Sequence, residues 1–476
     1  MNKIKFKRIQ NKLHKQGLNI DRVSQNILSV KSLNTYGLES KILLPENFEI
    51  EEKAIKQLMD FASIEHPDGG HVKCSCATPD FHTGTTVPVG SVVVTDKSMV
   101  IPQAIGTDIN CGMRLHKLDL TYDKFLAKKD LWIKKLKGDL LESTRNIPVT
   151  PLSMKSLFEE GIGGFFDEMK RSKKEGIFQN INFDLINFEM SKLHISAFEK
   201  GNSNYAPESL QNMSRDLIRD PSLATLGGGN HFCELQVVTE LVDKQKAYEN
   251  GLKVGQLVVM IHTGSRDVGF YVGNRWKDKA KEAWPKGLKH PEHKIFPING
   301  DLAKEYLLAM HSAAHYATLN RALIAELVRQ RTIELFGNID CSLVIDVPHN
   351  IILQEDIGNV HRKGATPAYE NQNLLIPGSM GHDSYFLNGL GNESWLKSAS
   401  HGAGRSISRN KIMFKAKKDK NFLGLNKIEC ITLKEERLIE EAPAAYKEIG
   451  PVIQSQVEEK TIEVIAKFSP ILTFKA

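Results

Sequence analysis

The residues of this chain best placed to do chemistry lie in eight short segments, most of them rich in glycine. They are Pro79–Gly84 (PDFHTG), Gly106–Arg114 (GTDINCGMR), Leu226–Glu234 (LGGGNHFCE), Ile261–Arg266 (IHTGSR), Val347–Asn350 (VPHN), His361–Thr366 (HRKGAT), Pro377–Met380 (PGSM) and Ser400–Arg405 (SHGAGR). Glycine weakens a strand or helix by roughly 0.5–1 kcal/mol, so clusters of it beside strands call for a reason. Close approach of backbone to a ligand is one, and polar side chains on loops held by a rigid scaffold are a common way to build a site.

The first chemistry these segments allow is metal binding. Asp108 and Cys111 are three apart in one loop and can turn toward one ion, while His231, His262 and His349 each fall at the start or end of an expected strand. A carboxylate, a thiolate and three imidazoles suffice for one complete site, or for two that share the thiolate. A single buried Cys or His is ordinarily a packed core residue. Five of them in four strand-end turns form a pattern that packing alone does not call for. By ligand chemistry alone zinc is the natural ion, because Mn²⁺ stands at the bottom of the divalent affinity order. Cys74 and Cys76 lack the second pair of a zinc ribbon. His311 and His315 sit in an apolar-periodic stretch and read as core.

The second chemistry is nucleotidyl transfer. The chain has no G-x-x-x-x-G-K-[ST] loop, and Lys173–Gly176 (KKEG) fits the lysine-based K-x-[DE]-G pattern by letter only. His401 is followed by Gly402, Ala403 and Gly404, so nothing bulky crowds its ring. A neutral imidazole can attack phosphorus and form a phosphoramidate.

These residues need a scaffold. Alternating or β-branched runs predict strands at Pro88–Asp96, Met113–Leu120, His231–Glu240, Gln256–His262, Cys341–Val347 and Asn350–Val360. Helical periodicity predicts helices over Asp123–Lys137, over Asp301–Phe336 with a stop at Gly337–Asn338, and over Glu435–Ile449 with an interruption at Pro443. Strands and helices do not alternate regularly, so the expected class is α+β, with packed mixed β-sheets inside and helices around them. Residues 71–476 read as one catalytic domain, with 1–70 as its N-terminal segment and 138–220 as a loop-rich helical insertion.

The 476 residues carry a formal charge of +6, with basic runs at 3–15, 134–137, 169–174 and 415–420. That permits a polyanionic partner without demanding one. No stretch approaches the ~20 apolar residues of a membrane span. The basic N-terminus has no apolar run behind it, so a secretory signal is not expected. Six cysteines in so long a chain make no disulfide framework, which points to the cytoplasm.

Taken in order, GTDINCG, GGGNHFCE, IHTGSR, HRKGAT, IPGSMG and HGAGR make the chain resemble the RtcB family of RNA-splicing ligases, from about Pro79 to the last residue. The resemblance implies an RtcB-like fold and an RNA ligase that uses GTP and two Mn²⁺. Its substrates would be an RNA 3′-phosphate or 2′,3′-cyclic phosphate end and a 5′-hydroxyl end, in RNA splicing or repair. It assigns Asp108, Cys111, His231, His262 and His349 to the metals, with Cys111 bridging, and the guanylylated position to His401. It assigns the guanine nucleotide to Asn230, His231, Phe232, Cys233, Glu234, His349, Asn350, Pro377, Gly378, Ser379, Met380, Ser384, His401, Gly402, Ala403, Gly404 and Lys475. Asp80 matches a position that could assist proton transfer, and Arg266 one that could meet RNA.

Three positions depart from the family pattern. Asp267 stands where glycine is usual, Pro367 where a basic residue is common, and His315 where the long helix often has Asn. The implied partners are RNA, GTP and an activating protein. Two other readings use the same residues: a two-metal phosphoesterase, and an RNA-end binding protein without turnover. The tail Thr461–Ala476 is apolar and is expected to pack against the body, holding Lys475 in place.

Overall fold

Val92, Val93 and Val94 are all fully buried, and the strand they form, Val89–Thr95, lies inside a seven-stranded sheet. The computed structural model describes residues 3–35, 37–291, 293–419, 421–425 and 428–476; Lys420 of the last basic run lies outside them. The strand order in this first sheet is Leu18–Arg22, Ile27–Ser32, Glu39–Leu43, Val72–His82, Val89–Thr95, Gly358–Lys363 and Asn350–Glu355. Its one parallel pair joins Glu39–Leu43 to Val72–His82.

The second sheet runs Leu343–Pro348, Gly112–Thr121, Gln256–Thr263, Phe232–Leu241, Ile462–Lys475, Ser384–Gly389 and Asn373–Ile376, and Cys430–Thr432 adds a parallel strand to Ile462–Lys475. All eight residues of Gln256–Thr263 are buried, so this strand reads as a continuous core element.

The helix Gly300–Phe336 is buried on most of its circumference, through Tyr306, Met310, Tyr316, Leu319 and Leu323 among others. Its first N–H is capped by the Asn299 side chain, and it ends at Gly337, whose φ of 85° suits glycine. The segment 138–220 forms helices Pro151–Glu160, Ile162–Arg171 and Phe183–Met190 with short 3₁₀ turns. Met154, Leu157, Phe158 and Phe165 join the same hydrophobic core as the long helix. Helices thus surround packed mixed sheets, as the sequence predicts.

Three expected boundaries differ. Asn350–Val360 is not one strand but the start of a hairpin, Asn350–Glu355 and Gly358–Lys363, with Glu355 opposite Gly358. Gly358 has φ 143° and a Cβ there would stand 2.0 Å from the Thr95 carbonyl oxygen, so glycine makes the reversal possible. The helix expected over Asp123–Lys137 is two, Tyr122–Leu126 and Lys129–Leu140. The helix from Glu435 stops at Glu440, and Ala442, directly before Pro443, is extended. A new helix begins at Ile449. No helix among the described residues is long and apolar enough to cross a membrane.

Candidate metal centre and nucleotide cleft

Strand register brings the metal candidates together. Gly112 pairs with both Pro348 and Thr263, while Met113 and Phe232 both pair with His262. The residues next to these positions are Cys111, His349 and His231, so one end of the second sheet collects three turns and the His262 side chain. Cys111 Sγ lies 3.3 Å from His231 Nε2 and 3.2 Å from His262 Nε2. His262 Nε2 is 3.1 Å from His349 Nε2, and His231 Nε2 is 3.1 Å from Asp108 Oδ2. The five residues form two ligand triads, Cys111/His262/His349 and Asp108/Cys111/His231, that share the sulfur.

The donor set fits cations. His231 and His262 direct Nδ1 at the carbonyl oxygens of Leu226 and Asn230, at 3.0 and 3.1 Å. With Nδ1–H donating there, each Nε2 presents a lone pair to the sulfur, an arrangement typical of ligating histidines. Burial holds His262 and His349 well below the usual histidine range, hence neutral. Burial, and then the Asp108 charge, push the Cys111 thiol up, so a cation in contact is what would hold it as thiolate. Burial alone would raise Asp108, yet His231, Cys111 and Lys363 bring it well below the carboxylate range.

The long helix sets this geometry from behind. Arg321 Nη1 donates to the carbonyls of Asn110 (2.7 Å) and Thr263 (3.0 Å), while its Nε and Nη2 pair with Asp346. Gly112 leaves room for it, because a Cβ there would come within 3.1 Å of the guanidinium.

His401 follows the short strand Ser398–Ser400. Its Nδ1 is 2.5 Å from Asp80 Oδ2, and its backbone N–H donates to the same oxygen at 3.2 Å. Asp80 is fully buried and also accepts from Thr78 Oγ1 at 2.6 Å. Burial would raise its pKa, but His401 and these hydrogen bonds hold it below the ordinary value. With Nδ1 engaged, Nε2 is the free nitrogen of His401. The ring lies 4.8 Å from that of His349, centroid to centroid.

A cleft of about 760 Å³ connects these parts. It is lined by Asp108, Cys111, His262, His349 and His401, and by Asn230, Phe232, Glu234, Asn350 and Lys475. Pro377, Gly378, Ser379 and Met380 form one wall with Gly402, Ala403 and Gly404. Lys475 is buried and donates from Nζ to the His231 carbonyl at 3.1 Å. Glu234 Oε2 accepts from Thr473, and burial raises its carboxyl.

Five expected site residues do not line the cleft. Asp80 stands behind His401, and His231 behind Cys111 and Asp108. Ser384 Oγ accepts from the Gly378 N–H at 3.3 Å and so supports the Pro377–Met380 turn. Cys233 belongs to the main hydrophobic core. Arg266 lines a second pocket. Lys173 is exposed and paired with Glu175, unlike a buried nucleophile.

The cleft also contains groups the sequence did not single out. Lys363, the lysine of HRKGAT, lines it and donates to the Ile105 carbonyl at 2.8 Å. Glu441 accepts from Arg405 and Arg409, both at 3.1 Å, and from Tyr446. Arg405 was visible as the last letter of SHGAGR; Glu441 carries no local signal.

The sequence profile described as tRNA-splicing ligase RtcB matches residues 57–476. The protein named tRNA-splicing ligase RtcB from Aeropyrum pernix is 32% identical, over 90% of this chain and 94% of its own length. Those of Pyrobaculum aerophilum (31%, over 84% and 87%) and Methanococcus maripaludis (30%, over 90% and 92%) carry the same name. The chain belongs to the RtcB family of tRNA-splicing ligases.

Proposed function

We propose that this protein is a GTP-dependent RNA ligase that joins a 3′-phosphate or 2′,3′-cyclic phosphate end to a 5′-hydroxyl end through a guanylate on His401. The observation that carries this is the Asp80–His401 pair, 2.5 Å apart, beside two ligand triads that share Cys111. Asp80 fixes the tautomer, so His401 Nε2 attacks the α-phosphorus of GTP and pyrophosphate leaves. The buried carboxylate stabilises the positive charge that forms on the ring, the role of the aspartate in a Ser-His-Asp triad. GMP then passes to the RNA 3′-phosphate, opened beforehand by water where it is cyclic. The 5′-hydroxyl attacks that activated end and displaces GMP.

Asp108, Cys111, His231, His262 and His349 would hold two Mn²⁺, which polarise phosphate oxygens and stabilise leaving groups. Backbone N–H groups of Ser379 and Met380 and of Gly402, Ala403 and Gly404 suit phosphates where no P-loop exists. Glu234 and Lys475 offer an acceptor and a donor for the guanine edge, with its N2 amine and O6. The free, mostly buried cysteines and a bridging thiolate suit a reducing cytoplasm. An activating partner protein belongs to the same reading.

Incubation with α-labelled GTP and Mn²⁺, then denaturing electrophoresis, tests it. Acid-labile, alkali-resistant label on the chain, absent from His401→Ala, is expected. Hydrolysis of RNA ends without label would make the protein a phosphoesterase, and neither outcome would leave an RNA-end binder.

A further inference from the structure

Three consecutive glycines each lie under a guanidinium. A Cβ on Gly227 would stand 2.0 Å from Arg266 Nη1, one on Gly228 3.1 Å from Arg437 Nη2, and one on Gly229 3.2 Å from Arg409 Nη2. Arg409 belongs to the catalytic cleft, and so does Asn230, the next residue. Arg266 and Arg437 belong instead to a separate pocket of about 330 Å³, which Arg145 and Lys434 also line. The glycine ridge is therefore the wall between the two cavities. Gly228 and Asn230 are two residues apart, at most about 7 Å along the chain.

This second pocket is built for an anion. Four cationic side chains face a single acidic one, Asp267. Among the described residues Arg437 pairs with Glu440, but neither Arg145 nor Arg266 has a carboxylate partner. Arg145 is held by the Leu223 and Pro221 carbonyls, and Arg266 by Thr225 Oγ1. Their orientation is thus fixed by neutral acceptors, although Asp220 and Asp139 lie near enough to Arg145 to act on its charge. The Nε of Arg437 is buried and has no hydrogen-bond partner.

We infer that this pocket binds a backbone phosphodiester of the RNA whose end occupies the cleft, one or two nucleotides from the joined end, with the strand crossing the Gly227–Gly229 ridge. The inference rests on the ligase reading of the cleft. It gives Asp267 a place, because the four cations outweigh it.

The test uses Lys434→Gln/Arg437→Gln, an exposed and a half-buried position whose exchange should leave the melting temperature unchanged, as thermal melts would check. Binding of a 3′-phosphorylated and of a 5′-hydroxyl RNA 10-mer is followed by fluorescence anisotropy across a salt series. At least one should weaken about tenfold, with its salt slope smaller by about 1.4, two contacts at about 0.7 each. Binding of a 3′-mononucleotide and labelling by GTP should stay at wild-type levels. Unchanged affinity and slope for both 10-mers overturn the inference, and so does a loss of GTP labelling, which would give the pocket to the nucleotide. Full displacement of both 10-mers by millimolar inorganic phosphate at constant ionic strength would make it a free-phosphate site and also overturn it. A wild-type chain that takes no label refutes the reading of the cleft instead, and the binding measurements, which need no GTP, still decide the pocket.

Discussion

Cys111 is the residue on which the proposed chemistry converges, since both triads contain its sulfur. Cys111→Ala should bind no Co²⁺ with thiolate charge-transfer absorption and should lose GTP labelling, whereas Cys233→Ala should retain both. Ordinary labelling of Cys111→Ala would end the shared-thiolate description. Asp80→Asn keeps the shape but loses the charge and one of the two acceptor oxygens that hold Thr78 and the His401 ring, so labelling should slow by about 10² or more, while an aspartate exchange of this kind in a serine protease costs about 10⁴. Lys475→Ala removes a charge-assisted hydrogen bond, and labelling should fall by about 2–3 kcal/mol in equivalent terms. Burial already disfavours that ammonium, so the melting temperature should hardly move. Residue types and spacing made the five ligand candidates and His401 legible. Strand alternation within GNHFCE also separates Phe232 and Glu234 in the cleft from Cys233 in the core. Glu441 was not legible in that way, because its arginine partners lie more than thirty residues before it and no local pattern marks it, while Lys363 stood within HRKGAT but its role there carried no separate signal.

At the scale of elements, long runs were easier to read than reversals. The helix Gly300–Phe336 was predicted almost to the residue because its period and its glycine stop agree. The hairpin at Gly358 was hidden, since Ile351, Ile352 and Val360 are all buried and apolar on both sides of a two-residue turn. The N-terminal strands escaped because each is only five or six residues long with mixed exposure. The apolar tail was expected to pack, and it forms the fourteen-residue strand Ile462–Lys475 between Phe232–Leu241 and Ser384–Gly389. Phe474 in it is fully buried, with its ring 5.9 Å from that of Trp132. Phe474→Ala should therefore cost about 3–5 kcal/mol in denaturant unfolding. Phe414→Ala, on an exposed helix face, should cost almost nothing; equal costs would contradict this packing.

At the scale of the molecule, Glu441 ties the loop after His401 to the segment around Tyr446. Burial would raise its pKa, but Lys475, Arg405 and Arg409 bring it below the usual range. A depressed folded value means that its contribution is complete above the unfolded glutamate pKa of about 4.3 and drains away as pH falls through the folded one. Thermal melts should thus lose stability on acidification below about pH 4, and Glu441→Gln should flatten that loss. A wild-type and a variant profile of the same shape would exclude this account. The five ligand candidates span residues 108 to 349, in three turns and a strand that only the folded sheet assembles. Cations seated there would act as a non-covalent cross-link between distant parts of the chain, so that chelation should loosen the whole protein rather than one loop. At a hundred times the dissociation constant, Mn²⁺ should add about 2.7 kcal/mol to unfolding. His401→Ala, which keeps all five ligands, should be stabilised just as much, and Cys111→Ala not at all.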